Sequence, residues 1–183
     1  MTVDDEAFRA ALGRFASGVT VVSSVDTSVE PAVDHAMTAS AFMSVSIRPP
    51  QVLLCASRKA RFHAAVLQSG RWAVSILSDR GRESSAWFAH TGRPLLGQFD
   101  RVAHHRSPSG LVLIDAALAW MECRTIAVHE GGDHSILIGG VEWAAVSDSE
   151  PADDPLLYYR SHYGTIVRSE ESEKTLQEGD GVG

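Results

Sequence analysis

Long apolar runs are missing from this chain of 183 residues. None approaches the ~20 consecutive residues that a membrane-spanning helix requires, so no such span is expected. Positive charge is scarce: 16 Lys and Arg stand against 23 Asp and Glu, a formal net charge of −7, and nucleic acid is not an expected partner. Only two cysteines occur, Cys55 and Cys123. They lie far apart in separate apolar runs and read as buried free thiols, not a disulfide. Without a Cys-x-x-Cys pair, neither a redox dithiol nor a thiolate metal site is expected. Met1 to Glu6 is acidic with no apolar core, unlike a secretory signal, so the expected compartment is the cytoplasm.

Familiar nucleotide and hydrolase motifs are absent as well. No Gly-x-Gly-x-x-Gly follows a strand, no phosphate loop ends in Gly-Lys-Ser/Thr, and there is no Gly-x-Ser-x-Gly elbow. His129 and His134 are five residues apart with Gly131 and Gly132 between them. That spacing does not put two imidazoles on one helix face, and no metal site is expected there.

What is present is mostly strand pattern. Phe8, Ala11, Leu12 and Phe15 recur at helical spacing behind Asp4 to Glu6, and Gly18 is the expected stop. Val19 to Ser24, Ala32 to Met37, Met43 to Ile47 and Val52 to Ala56 read as strands. Lys59 to Ser69 reads as a helix closed by Gly70, and Arg82 to Ala89 as another. Trp72, Val74 and Ile76 alternate with smaller residues, which predicts a half-exposed strand. Thr91 to Gly110 is irregular. Ala116 to Val128 and Ser135 to Val146 predict two long strands joined at Glu130 to Asp133 as a hairpin. Ser169 to Gly183 is acidic and Gly-rich, and predicts a disordered tail after one domain over 1–168. Six or seven antiparallel strands with short flanking helices predict a mainly β fold, a closed or nearly closed barrel. An open α+β sheet is the alternative.

Four constellations stand out. In Met37-Thr38-Ala39-Ser40-Ala41-Phe42 short hydroxyls and small side chains would let a flat ring lie on the backbone; the same residues suit a tightly packed strand crossover. Ser57-Arg58-Lys59-Ala60-Arg61 gathers three cations at a helix start after a buried strand, which suits an anion or simply a solvated helix end. Gly131-Gly132-Asp133-His134 would project His134 from a turn, toward a ligand or toward water. Pro155 to Gly164 holds Tyr158, Tyr159 and Tyr163, all the tyrosines of the chain. They could cover a ring system, or could close the core or an interface. His104 and His105 read as surface residues, and Trp72, Trp87, Trp120 and Trp143 as packing.

Taken in series, these segments resemble the flavin reductase family of two-component monooxygenases. The resemblance runs through Phe8 to Val22, Met37 to Ser46 followed by Pro49-Pro50, Arg58 to His63, Gly70 to Leu77, Gln98-Phe99-Asp100, Gly132-Asp133-His134 and Leu156 to Arg160. It implies an FMN-binding split β-barrel, a homodimer, and NADH-dependent reduction of FMN or FAD for release to a partner monooxygenase, with NADPH the less expected donor. It implies that Met37 to Phe42, Cys55, Ala56, Ser57 and Phe88 line the flavin and that Arg58, Lys59 and Arg61 hold its phosphate. It further implies that His134, Tyr158, Tyr159 and Tyr163 lie near the nicotinamide, with His134 the catalytic candidate. Members often carry hydroxyl residues where this chain has Lys59, Ala60 and Phe62, and Thr where Met43 stands. A flavin-binding carrier, or an oxidase-like relative with tightly held flavin, is the alternative activity.

Overall fold

The computed structural model describes residues 3–148 and 153–167; the expected tail at 169–183 lies outside the described residues. In chain order the first half contains α1 (Asp5–Leu12), β1 (Ser17–Gly18), β2 (Thr20–Asp26), β3 (Val33–Ala39), β4 (Phe42–Ile47), β5 (Pro50–Ser57), α2 (Arg61–Ser69) and β6 (Arg71–Leu77). A 3-10 turn at Asp79–Gly81 leads into α3 (Arg82–Ala89). The rest is strand: β7 (His104–Arg106), β8 (Val112–Ile114), β9 (Ala117–Gly131), β10 (His134–Val146), β11 (Leu157–Tyr159) and β12 (His162–Gly164). None of the described helices is long and apolar enough to cross a membrane.

Seven strands form one antiparallel sheet in the order β3-β2-β6-β9-β10-β5-β4. Its edge strands β3 and β4 are joined by only Ser40 and Ala41. Laid flat, seven strands would hold those edges about 29 Å apart, six spacings of about 4.8 Å. The two-residue link can span at most about 11 Å from Ala39 to Phe42. The sheet must therefore curl until its edges meet. It closes as a split barrel, because β3 and β4 share no ladder. The short sheets β1-β11-β12 and β7-β8 pack alongside.

Inward residues alternate along β5: Val52, Leu54 and Ala56 are buried, and Gln51, Leu53, Cys55 and Ser57 are half-buried. Leu54 and Ala56 join Val22, Trp72, Val74, Cys123 and Leu137 in one core cluster, into which α2 inserts Phe62 and Val66. A second cluster gathers Val19, Val21, Leu77, Phe88, Phe99, Ile114 and Leu156. Cys123 is a buried free thiol, and burial pushes its pKa up to about 12, which makes it unreactive.

Five local expectations change, the first being that the stretch read as irregular contains β7, whose His104 to Arg106 pair with Val112 to Ile114. α1 stops at Leu12 and is capped by Gly13, not Gly18; the Gly13 N–H already bonds the Arg9 carbonyl. No α1 residue is buried, and Phe8 is 56% exposed. α2 starts at Arg61, because Lys59 and Ala60 form the turn closed by Ala60 N–H to Ser57 O at 3.0 Å. β6 is not half-exposed: Trp72 to Ser75 and Leu77 are all buried. Its large–small alternation marks two covered faces, with Trp72 and Val74 in the first cluster and Ala73 against Leu111 and Leu113. Cys55 is half-buried, on the opposite face from Leu54.

Candidate functional site

β3 is composed of small and polar residues where it runs into the crossover, so no bulky side chain fills the space above the split. A cavity of about 360 Å³ opens there, within the size range of small-molecule sites. Its walls are Ala36 to Ala41 from β3 and the crossover, Cys55 and Ser57 from β5, and Lys59, Ala60 and Arg61 at the start of α2. Phe88 and Ala89 at the end of α3, His90, Thr91 and Arg93 after it, and His134 at the start of β10 complete it. Of the residues singled out from sequence, the fold thus brings together Met37, Thr38, Ala39, Ser40, Ala41, Cys55, Ser57, Lys59, Arg61, Phe88 and His134.

Other expected residues go elsewhere. Phe42 and Ala56 alternate to the inner face and pack in the core. Arg58 turns outward to Glu130, Nη2 to Oε1 2.9 Å. Tyr158, Tyr159 and Tyr163 are not in the cavity wall. Tyr163 instead bonds Ser85 Oγ on α3 at 2.8 Å and takes Tyr158 edge-on at a centroid distance of 5.4 Å, while Tyr159 carries the Arg160 guanidinium over its ring. Thr38 lines the cavity, but its hydroxyl donates to Ser85 O at 2.6 Å. It fastens β3 to α3 and retains an oxygen lone pair for a ligand donor.

The lining contains three cations, Lys59, Arg61 and Arg93, and no Asp or Glu, in a chain of net charge −7. The α2 N-cap is Ala60, which makes no side-chain capping bond; the His63 N–H turns back to Ala60 O at 3.0 Å, and the Arg61 and Phe62 N–H groups precede the first intrahelical donors. Arg61 is already engaged, donating to Pro94 O at 3.2 Å and Arg93 O at 2.5 Å. Lys59 makes no ion pair among the described residues. It is the free cation of the Arg58-Lys59-Arg61 cluster.

His134 follows the two-residue turn Gly132-Asp133, where Gly132 takes φ +67°. Its Nδ1 meets Asp133 Oδ1 at 2.7 Å. That hydrogen bond, the His134 charge and the nearby Lys59 charge hold the Asp133 carboxyl below its ordinary range. His134 lies beside Ser57 in register, on the outward face. Sequence reasoning missed Ala36, Ala60, Ala89, His90, Thr91 and Arg93 as lining residues. Those at 90–93 fall at the edge of the aperiodic stretch 91–110, where pattern carries no information about facing.

The cavity fits a flavin on observations of this fold. One wall is small enough for a ring to approach the main chain, and the other end is cationic, free of carboxylates and backed by an uncapped helix start.

Comparison with known proteins gives the same direction. A family model described as the flavin reductase like domain matches residues 12–167. The chain is 34% identical over 174 residues to HsaB, the reductase subunit of a flavin-dependent monooxygenase from Mycobacterium tuberculosis, covering 94% of this chain and 86% of that protein. It is 35% identical over 158 residues to an NADH-dependent flavin reductase from a Rhodococcus species, covering 86% and 84%. The solved structure of the Streptomyces globisporus NADH:FAD oxidoreductase SgcE6, in complex with NAD and FAD fragments, superposes with a TM-score of 0.81 at 30% identity, covering 93% of this chain and 99% of that one.

Proposed function

This chain belongs to the flavin reductase family, and from that premise we propose that it catalyses NADH-dependent reduction of FMN or FAD in the cavity at the barrel split and supplies the reduced flavin to a separate monooxygenase. The observation that carries this reading is the union, in one cavity, of a small-residue wall with a cation-only end at the α2 N-terminus. Lys59 and the first-turn N–H groups of α2 hold the flavin phosphate. Met37 to Ala41, Cys55 and Phe88 bound the ring. A flavin held there would supply the redox chemistry, as acceptor of a hydride equivalent from NADH. The chain's own work is to bind, orient and exclude water, and that step needs no acid or base among its side chains. His134, oriented by Asp133, is the contact for the nicotinamide.

The protein works in the cytoplasm as a homodimer. Met43, Leu53 and Ile138 lie in one cross-strand row on the outward face of β4, β5 and β10. Met43 is 59% exposed, and Cys55 and Ile136 continue the apolar face toward the cavity. A second copy covering this row would remove it from water, and sedimentation should return twice the 19.7 kDa chain mass.

The decisive experiment is loss of NADH absorbance by the purified protein with FMN, FAD or riboflavin added. Oxidation that depends on added flavin is the expected result. Flavin binding without oxidation of NADH or NADPH would identify a carrier or an oxidase-like relative instead.

A further inference from the structure

We infer that Arg93 is a positioning residue that fixes one wall of the flavin cavity by gathering backbone carbonyls, not by offering its charge to the ligand. The inference rests on the proposed reading of the cavity. After α3 ends at Ala89, the chain from 90 to 97 forms neither helix nor strand, yet it supplies His90, Thr91 and Arg93 to the cavity wall. Apart from backbone bonds at its ends, such as His90 N–H to Trp87 O at 3.2 Å, its hold on the rest of the protein comes from side chains.

Arg93 Nη1 donates to Trp87 O at 3.1 Å, to Phe88 O at 2.6 Å and to His90 O. These acceptors lie at the C-terminal end of α3, where a helix leaves carbonyls unpaired and its dipole is negative. Arg93 Nη2 donates to Ala36 O on β3 at 2.7 Å. Ala36 belongs to the facing wall of the same cavity, so one guanidinium joins both walls. Its plane also lies over the Phe88 ring, 5.2 Å from the centroid. From the other side Arg61 holds the Arg93 and Pro94 carbonyls.

No carboxylate takes part in this arrangement. Burial, then the neighbouring Arg61 charge, lower the Arg93 pKa, and the partners its guanidinium has in the fold are neutral carbonyls. Nη1 shares its two N–H groups among three carbonyls, Nη2 gives one N–H to a fourth, and Nε is buried without a partner. A lysine has the charge but not the planar fork, and could not span α3 and β3 at once.

Arg93→Lys separates the two roles. The expected result is a KM raised about tenfold for FMN and for riboflavin alike, with kcat within about twofold of wild type. Hydrogen exchange without ligand should speed up over residues 89–95 and stay unchanged in the barrel strands. A KM equal to wild type, a rise confined to FMN, or unaltered exchange at 89–95 would overturn the assignment. Should Arg93→Lys fail to fold, Arg61→Gln, which removes the exposed half of the clamp, must show the same pattern more weakly; normal exchange and KM values there would overturn it too. A wild-type protein that turns over no flavin would instead overturn the reading of the cavity. The ligand-free exchange measurement tells that failure apart from a failure of the clamp.

Discussion

Gly139→Ala is expected to be the most damaging single methyl in this protein. A Cβ at Gly139 would sit 2.5 Å from Trp72 Cζ2 and 3.0 Å from Cys123 Cβ. Trp72 is fully buried and Cys123 is 1% exposed, so neither can swing aside into solvent. Overpacking of this kind costs about 3 kcal/mol, at the upper end of the usual range. For a chain of this size that corresponds to a fall in melting temperature of roughly 6–12 °C. The adjacent glycine is the control: a Cβ at Gly140 meets Ile126 Cγ2 at 3.4 Å, an ordinary contact, and Gly140→Ala should shift the melting temperature little. Combining Gly139→Ala with Trp72→Phe removes the ring atom that the methyl strikes. The double variant should be more stable than the sum of the two single losses. An additive pair would show that the Trp72 contact is not the cause.

The second large effect is on flavin affinity and separates neighbours in one cationic run. Lys59→Ala should raise the KM for FMN about tenfold, the equivalent of ~1.4 kcal/mol, and leave the KM for riboflavin, which lacks a phosphate, nearly unchanged. Arg58→Ala should change both much less, because Arg58 faces Glu130 across an exposed ion pair outside the cavity. Such pairs contribute little to stability. Equal losses from Lys59→Ala with both flavins would remove the phosphate from the α2 N-terminus. A large loss from Arg58→Ala would mean that its link to Glu130 is exchanged for the ligand. Combined with the Arg93 experiment, the FMN-to-riboflavin ratio distinguishes a charge that meets the phosphate from a fork that holds a wall.

Much of the cavity was legible because its residues are clustered in sequence. The stretch Met37 to Ala41 lacks bulk, and the strand Val52 to Ala56 runs into a basic helix start. Gly132-Asp133-His134 reads as a turn, and Gly132 does adopt the positive φ that a two-residue hairpin demands. Within those clusters, however, adjacent residues part company. Phe42 follows Ala41, and Ala56 lies between Cys55 and Ser57, yet the pleat sends Phe42 and Ala56 inward to Trp72 and Leu137. Of the tyrosines near 160, Tyr163 bonds Ser85 on α3 and Tyr158 packs edge-on against it, while Tyr159 stays exposed. Arg93 was invisible: an arginine between Gly92 and Pro94 in an aperiodic stretch carries no mark of the four carbonyls it will collect.

By itself, then, the sequence determined the seven strands of the main sheet, the three helices in outline, the long hairpin of β9 and β10, the small-residue crossover and the family resemblance. All of these are local: they depend on side-chain size, period and turn chemistry over a few neighbouring residues. The tertiary structure alone decided which cation of Arg58, Lys59 and Arg61 stays free, which face of each strand meets the cavity and what holds the segment after α3. Those outcomes depend on partners distant in sequence, Glu130 for Arg58 and Ala36 for Arg93. Such partners become neighbours only when the two-residue link between β3 and β4 forces the sheet to close.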